Sequence, residues 1–487
     1  MSVVAAGAPG GRRRGRLNRT AADIGQGLAP ARIAHPIAAG ERIHVVGAAG
    51  AGASAAALLA HRAGAVVTGC DSGGPSPYSS ALVEAGIPLA WEHSAIHVTS
   101  VADGSPQRLA VTKALTSVNP DHPELVAARA AGIPIEAWQQ VVADVAATTG
   151  QRLVAVAGTH GKSTTTGWLV DLLVRADRDP SAFVGALLDE RLIGASPATA
   201  RWGRGPEFVV EADEYAGNFD PYRASIAVLL NAEWDHPDVF ADEAAVLDAF
   251  ETWIRGAPGA TLVANVGDPG VVRIVERLHD WPGEIVRTPT AVPDGYEIGL
   301  AGPANAANAL SVISVAQVLQ VEDAIVRESL AEYAGVGRRM EVKGDVGGVV
   351  VIDDYGHHPT AIARTLEAVR ERYPGRRVWA VYEPLTFHRT ASMLDQFADV
   401  LASADKVAIA DIWAGRDPDT TITSSTKLAA AVSAAGGPTA AAPGSVEATA
   451  DYLGERVQRG DVVLVMGGGR SYVIASRLME LLRERDV

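Results

Sequence analysis

A lysine and four consecutive hydroxyls follow directly on a glycine turn in Leu153-Val-Ala-Val-Ala-Gly-Thr-His-Gly-Lys-Ser-Thr-Thr-Thr166. Apolar and β-branched residues before the turn read as a buried strand, and the residues after it as the start of a helix. Backbone N–H groups from Gly158 to Gly161 can then face an anion; Lys162 adds a point charge, and a hydroxyl can bind magnesium. The turn is shorter than the usual phosphate-loop pattern, since Val156 stands where that pattern wants glycine. Only five lysines stand among 42 basic residues, so one in this turn is conspicuous.

Acids and a histidine end two further apolar runs, Glu207-Phe-Val-Val-Glu-Ala-Asp-Glu214 and Ser225-Ile-Ala-Val-Leu-Leu-Asn-Ala-Glu-Trp-Asp-His236. Strand ends in a parallel sheet share one edge with the phosphate loop, so Glu211 and His236 can converge on a hard cation there, the carboxylate being the surer ligand. Asn305 and Asn308 lie three apart at a helix start, on one face, where a carboxamide can meet an adenine edge. Farther on, Asp353-Asp-Tyr-Gly-His-His-Pro359 packs two acids, a tyrosine and two histidines into one strand end. Gly467-Gly-Gly-Arg-Ser471 is either another phosphate loop or a tight turn.

The elements that must position these groups alternate strand and helix. A chain of 487 residues suggests about three domains. With 48% hydrophobic but only 5% aromatic residues, its interior is Ala/Val/Leu-rich, as in layered α/β proteins. Ile43–Val46 leads into Gly47-Ala-Ala-Gly-Ala-Gly-Ala-Ser54, a second strand spans Ala65–Thr68 and ends at Asp71, and a third lies near Leu109–Leu115. That βαβ turn suits NAD as well as a UDP-sugar, the acid reading a ribose hydroxyl. Residues 1–40, rich in Ala, Gly, Pro and Arg, read as a disordered tail, and residues 436–445 as a flexible connection. The net charge of −15 argues against a nucleic-acid partner. The single cysteine excludes a disulfide framework and fits the cytoplasm. No apolar run is long enough to suggest membrane insertion.

Taken in order, these motifs resemble the Mur ligases of peptidoglycan synthesis, which join an amino acid or peptide to a UDP-linked muramyl precursor using ATP. The resemblance spans about residues 42–487 and rests on Ala157–Thr165, Glu211–Tyr215, Asn231 with Asp235-His236, the Asn305/Asn308 pair, Arg338-Arg339 and Asp353–Pro359. It implies an α/β chain with a Rossmann-like UDP-binding domain (41–148), a central P-loop ATPase-type domain (149–335) and a C-terminal Rossmann-like domain (336–487).

Carried over residue by residue, the resemblance gives UDP-sugar contacts at Gly47, Gly50, Gly52, Ser54, Asp71, Ser72 and Thr116. ATP contacts fall at Gly158, Thr159, His160, Gly161, Lys162, Ser163, Thr164, Asn305, Asn308, Arg339 and Asp354. Magnesium falls to Ser163, Glu211 and His236, and catalysis to Lys162, Glu211, His236, His357 and Arg389, with Tyr355 near the acceptor. The implied substrates are ATP, UDP-N-acetylmuramate and a small amino acid, with a monomer or weak homodimer as the assembly.

Gly-Thr-His-Gly-Lys and Asp-Asp-Tyr-Gly-His-His-Pro look most like the branch that adds L-alanine. Three alanines depart from that pattern: Ala49, Ala53 and Ala304. So do Leu385 and Thr386, which stand where that branch has histidine and arginine. Glu383-Pro384, Arg338–Glu341 and Glu233–Phe240 are similar instead to the branch that attaches a recycled tripeptide. Outside the class stand an NAD-dependent oxidoreductase, which leaves Lys162, Glu211 and His236 unexplained, and a Mur-like binding protein without turnover.

Overall fold

The computed structural model describes residues 24–99, 104–415, 417 and 419–486. Its strands form three sheets, met in turn along the chain. The first holds Arg42–Val46 (β1), Val66–Cys70 (β2), Leu89–Ala90 (β3), Arg108–Val111 (β4) and Ile135–Ala137 (β5), all parallel, in the order β3-β2-β1-β4-β5. The second holds Arg152–Ala157 (β6), Ser181–Leu188 (β7), Ala198–Arg201 (β8), Glu207–Ala212 (β9), Ile226–Leu229 (β10), Thr261–Ala264 (β11) and Glu284–Arg287 (β12). Their order is β12-β11-β10-β6-β9-β7-β8, with only β8 antiparallel to its neighbour. The third holds Glu341–Val346 (β13), Val349–Asp354 (β14), Arg377–Glu383 (β15), Lys406–Ala410 (β16), Ala441–Gly444 (β17) and Asp461–Gly467 (β18). It runs β13-β14-β18-β15-β16-β17, again with one antiparallel edge, β13.

Central strands such as β6, β10, β14 and β18 are buried along nearly their whole length, as expected of parallel strands covered by helices on both faces. Their carboxyl ends bring Ala157, Ala212, Leu229 and Asp354 to sheet edges, and the functional loops start there. In the second sheet, β6 lies between β10 and β9, so the phosphate loop is flanked by the two acid-bearing strand ends.

Three local expectations change. Residues 1–23 of the expected tail lie outside the described residues, but 24–40 pack on the first sheet. Arg32 binds Glu136 at 3.1 Å and the fully buried Asp144 at 2.7 Å, and Ile37 is 5% exposed. A buried carboxylate requires such a partner, and composition could not reveal one about a hundred residues away. The strand expected over Leu109–Leu115 stops at Val111, after which Lys113–Val118 is helical. The connection expected at 436–445 contains β17, an edge strand whose Pro443 needs no ladder donor. Among the described residues no helix is long and apolar enough to cross a membrane.

Candidate active site

Gly161 caps the helix Lys162–Arg175 in the left-handed region, φ +81°, and a Cβ there would meet Asn308 Oδ1 at 2.5 Å. Only glycine lets the loop turn under Asn308, which comes from the helix Pro303–Val318. Residues just after β10 lock the loop. His160 N–H donates to Asn231 Oδ1 at 2.8 Å, Asn231 Nδ2 returns a bond to His160 O at 3.0 Å, and Thr159 Oγ1 donates to Glu233 O at 2.8 Å. Lys162 Nζ folds back on its own loop, reaching Gly158 O at 2.6 Å and Glu214 Oε2 at 2.8 Å. The ammonium thus sits where an anionic phosphate would compete for it.

Acids surround that lysine. Burial pushes the Glu214 carboxyl up to about 7, against the pull of Lys162 and with added repulsion from Asp213. Burial opposes ionisation of Lys162, but Glu214, Asp213 and Glu211 together hold its ammonium above its ordinary range. Burial also pushes His236 down to about 4 despite the neighbouring Asp235, so the imidazole is neutral at pH 7. Asp213, Glu214 and His236 bring ligand atoms within 4.8 Å of one another, a donor set that fits a hard cation.

Of the expected metal ligands, only His236 belongs to that trio. Glu211 lies beside it on the same cavity, with Oε2 held by the Gly185 N–H at 2.7 Å, and Ser163 Oγ accepts from Arg339 at 3.1 Å. Sequence reasoning quoted Asp213 and Glu214 in a motif but gave them no role. The signal was their placement one and two residues past the end of β9.

The third sheet completes the site. Arg339 reaches the phosphate loop through Ser163 and stacks 4.9 Å from the centre of the Tyr355 ring. Arg389 donates to Asp235 Oδ1 at 2.8 Å and approaches His236 Nδ1 at 3.1 Å, tying the third unit to the second. Burial disfavours the Asp235 charge, yet His236 and Arg389 hold its carboxyl well below the usual range. Thr360 Oγ1 donates to Glu233 Oε1 at 2.6 Å, a second tie. His357 lines the same cavity with its Nδ1 anchored 2.9 Å from Tyr355 O. Asp354 borders the nucleotide-sized cavity with its carboxylate anchored on the backbone. One oxygen accepts from Gly356 N at 2.7 Å and the other from Met340 N at 2.8 Å, so it shapes the wall. Left-handed backbone at His236, Arg338, Met340 and Thr386 gathers around this seam, the kind of strain that persists where a site over-determines it.

Two adjoining cavities result. One, of about 520 Å³, runs between Asn305, Asn308, Gly161, Thr164, Arg339 and Asp354, a size and lining suited to a nucleotide. The other, of about 430 Å³, is lined by Gly50 and Gly52 of the first unit, Lys162, Glu211 and His236 of the second, and His357 and Arg389 of the third. His160, Gly161, Arg339, Gly356 and Ala361 border both.

The expected UDP-sugar residues divide. Gly47, at φ +75°, turns the chain after β1, and Gly50 lines the second cavity. Gly52 also lines it, and its missing side chain admits Trp138, whose ring would lie 2.2 Å from a Cβ. Asp71 accepts from Ala49 N at 3.2 Å and Gly73 N at 2.8 Å, holding the turn, while Ser72 is exposed. Ser54 and Thr116 have partners inside the fold. Ser54 is buried against Thr199 at 3.0 Å, and Thr116 accepts from Gly25 N at 2.8 Å while donating to Lys113 O. The turn at Gly467–Ser471 is not an open phosphate loop either. The buried Glu383 carboxylate lies against it, with Oε2 only 3.0 Å from where a Gly469 Cβ would stand, and Arg338 binds Gly467 O and Ser471 Oγ. Leu385 lines the cavity, whereas Thr386 caps the helix Phe387–Ser392.

Comparisons with known proteins agree with this geometry. A family model described as Mur ligase family, catalytic domain, matches residues 42–149, and one described as Mur ligase, glutamate ligase domain, matches residues 338–469. The chain is 34% identical to the UDP-N-acetylmuramate–L-alanine ligase of Frankia casuarinae, covering 91% of this chain and 98% of that one. It is 35% identical to the protein of the same name from Kineococcus radiotolerans, over 91% and 97%. The solved UDP-N-acetylmuramate-alanine ligase of Thermotoga maritima superposes with a TM-score of 0.74 at 24% identity, over 91% of this chain and 99% of that one. A murein peptide ligase from Psychrobacter arcticus gives 0.68 at 24%, again over 91% and 99%. At those identities the structural matches carry the fold alone.

Proposed function

The chain belongs to the Mur ligase family, and from that premise we propose that it joins L-alanine to UDP-N-acetylmuramate at the expense of ATP, through an acyl phosphate. The observation that carries this reading is the pair of adjoining cavities, in which a phosphate loop, a glycine turn and a cationic loop from three separate sheets face one another.

A carboxylate is a poor electrophile toward an amine. It first attacks the γ-phosphorus, ADP leaves, and the amine then displaces phosphate from the acyl carbon through a tetrahedral intermediate. The nucleotide takes the larger cavity, with adenine toward Asn305 and Asn308 and its phosphates along Gly158–Thr164 and Arg339. Lys162 leaves Gly158 O and Glu214 for the β- and γ-phosphates, so an internal ion pair is exchanged for a ligand contact. The sugar nucleotide enters over Gly47–Gly52. His357 and Arg389 face its carboxylate and the incoming amino acid. Magnesium held by Ser163, Glu211 and His236, with Asp213 and Glu214 beside them, would offset the repulsion between nucleophile and phosphate. The neutral His236 imidazole suits that role, and the Arg389–Asp235 tie closes the third unit over the site and keeps water from the acyl phosphate.

We assign residues 41–148, 149–335 and 336–487 to the sugar-nucleotide, ATP and amino-acid units, and the cytoplasm as the place where these substrates meet. Leu385 beside Arg389 favours a second reading, in which an apolar patch accepts the longer amine of a recycled tripeptide. The test is phosphate release from ATP and UDP-N-acetylmuramate over a panel of amino acids and the tripeptide. Release that depends on L-alanine supports the first reading, and release only with the tripeptide the second. Release with no amine in the panel would overturn both.

A further inference from the structure

Four of the chain's twelve histidines and its single cysteine converge on one carboxylate in the first unit, among residues the proposed reaction does not use. Glu124, fully buried, opens the helix Pro123–Ala131. Cys70 Sγ, at the end of β2, lies 3.1 Å from both its oxygens. His97 Nδ1, on the short helix Ile96–Thr99, is 2.6 Å away, and His44 Nε2, from β1, is 3.8 Å away. His93 Nδ1 lies 3.3 Å from the Cys70 sulfur, and the His93 and His122 rings meet edge to face at 4.5 Å. Ligand atoms of His44, Cys70, His97 and Glu124 all fall within 4.8 Å of one another.

If the cluster were only an internal hydrogen-bond network, its buried nitrogens would be paired. They are not. Among the described residues His44 Nε2 and both ring nitrogens of His122 have no hydrogen-bond partner, and both residues are 2% exposed. The other nitrogen of His44 sits 2.7 Å from Thr68 Oγ1, which anchors the ring and leaves Nε2 aimed into the cluster, as an outer partner does for a metal-binding imidazole.

Tetrahedral zinc with nitrogen, oxygen and sulfur ligands needs ligand-to-ligand edges of about 3.3–3.8 Å. The contacts to Cys70 and His44 lie close to that range. The shorter His97–Glu124 contact carries a proton that a cation would replace. Thiolate and imidazole donors favour zinc over magnesium or calcium.

We propose that His44, Cys70, His97 and Glu124 form a structural zinc site, with His93 and His122 closing it. The Cys70 carbonyl accepts the N–H groups of Gly47 and Ala48 at 2.8 and 3.0 Å, so the site stands directly behind the first glycine turn. Zinc there stiffens that turn without touching the reacting groups.

The test uses the full chain, stripped with a chelator and titrated with zinc against a chromogenic competitor, then with cobalt as a spectroscopic probe. The expected result is about one ion per chain, a sulfur-to-cobalt charge-transfer band and tetrahedral d–d bands. Cys70→Ser and His44→Gln each weaken zinc binding by roughly 100-fold, while His236→Ala keeps it, separating this site from the acids around Lys162. Absence of the sulfur–cobalt band in the unmutated protein overturns the proposal without relying on any variant. So does zinc affinity unchanged in Cys70→Ser.

Discussion

Gly161→Ala changes one methyl group at the point where the phosphate loop passes beneath Asn308. Two costs follow from the geometry. An alanine at φ +81° occupies the left-handed region, at about 1–2 kcal/mol. Its Cβ would also sit 2.5 Å from Asn308 Oδ1 and 3.2 Å from Asn308 Nδ2, so that carboxamide must swing away and give up a polar contact of about 1 kcal/mol. With tenfold per 1.4 kcal/mol, a total of about 2–3 kcal/mol weakens ATP binding roughly 30- to 140-fold. Calorimetric titration with a non-hydrolysable ATP analogue reads this directly, and sugar-nucleotide binding serves as the internal control. The clash has a second signature. In Gly161→Ala with Asn308→Ala the obstructing group is gone, so the pair costs about 1 kcal/mol less than the sum of the single changes. Nucleotide affinity within threefold of the parent, or strict additivity in the double variant, would refute this account of the loop.

Three other perturbations separate parts of the site. Lys162→Ala removes the cation between Gly158 O and Glu214, and phosphate release should fall below detection while sugar-nucleotide affinity stays within about twofold; measurable turnover would sink the phosphate role. His358, whose pKa burial pushes down to about 4, stays neutral in the fold while its unfolded counterpart takes a proton below about 6.5. The unfolded state therefore binds more protons between those values, and stability is lost as pH falls through that window, by about 3 kcal/mol for this group. His358→Asn keeps the helix cap to Thr360 N and should flatten denaturant midpoints between pH 6.5 and 4; an unchanged slope would assign the acid sensitivity elsewhere. Leu385→His changes a side chain that lines the cavity, so it should raise the preference for L-alanine over the tripeptide several-fold, whereas Thr386→Arg acts through a lost helix cap and lowers stability instead; equal effects on both substrates would move specificity away from this loop.

Much of the site was legible because its chemistry is local. The turn Gly158–Ser163, the end of β9, His236 and the Asp353–Pro359 segment each carry function within a few residues, and the parallel sheet rule places their edges together. What stayed hidden depends on pairing across distance. Arg32 reads as part of a basic tail until Asp144 is seen beneath it, 112 positions along the chain. Asp354 reads as a nucleotide ligand from its place at a strand end, but the anchoring of its oxygens on Met340 and Gly356 is visible only in the fold. The turn at Gly467–Ser471 has the composition of an anion cradle, but the Glu383 carboxylate lies against it and Arg338 binds Gly467 O and Ser471 Oγ. Ser54 and Thr116 sit in ligand-like motifs and spend their hydroxyls on packing.

The claim that ties the three sheets together is that the muramyl carboxylate attacks ATP to give an acyl phosphate before the amine attacks. UDP-N-acetylmuramate labelled with heavy oxygen in its carboxylate tests this with the unmodified protein, ATP and L-alanine. Mass analysis of the released phosphate should find one labelled oxygen, carried over when the amine displaces phosphate from the acyl carbon. Amide product formed alongside unlabelled phosphate would contradict the account.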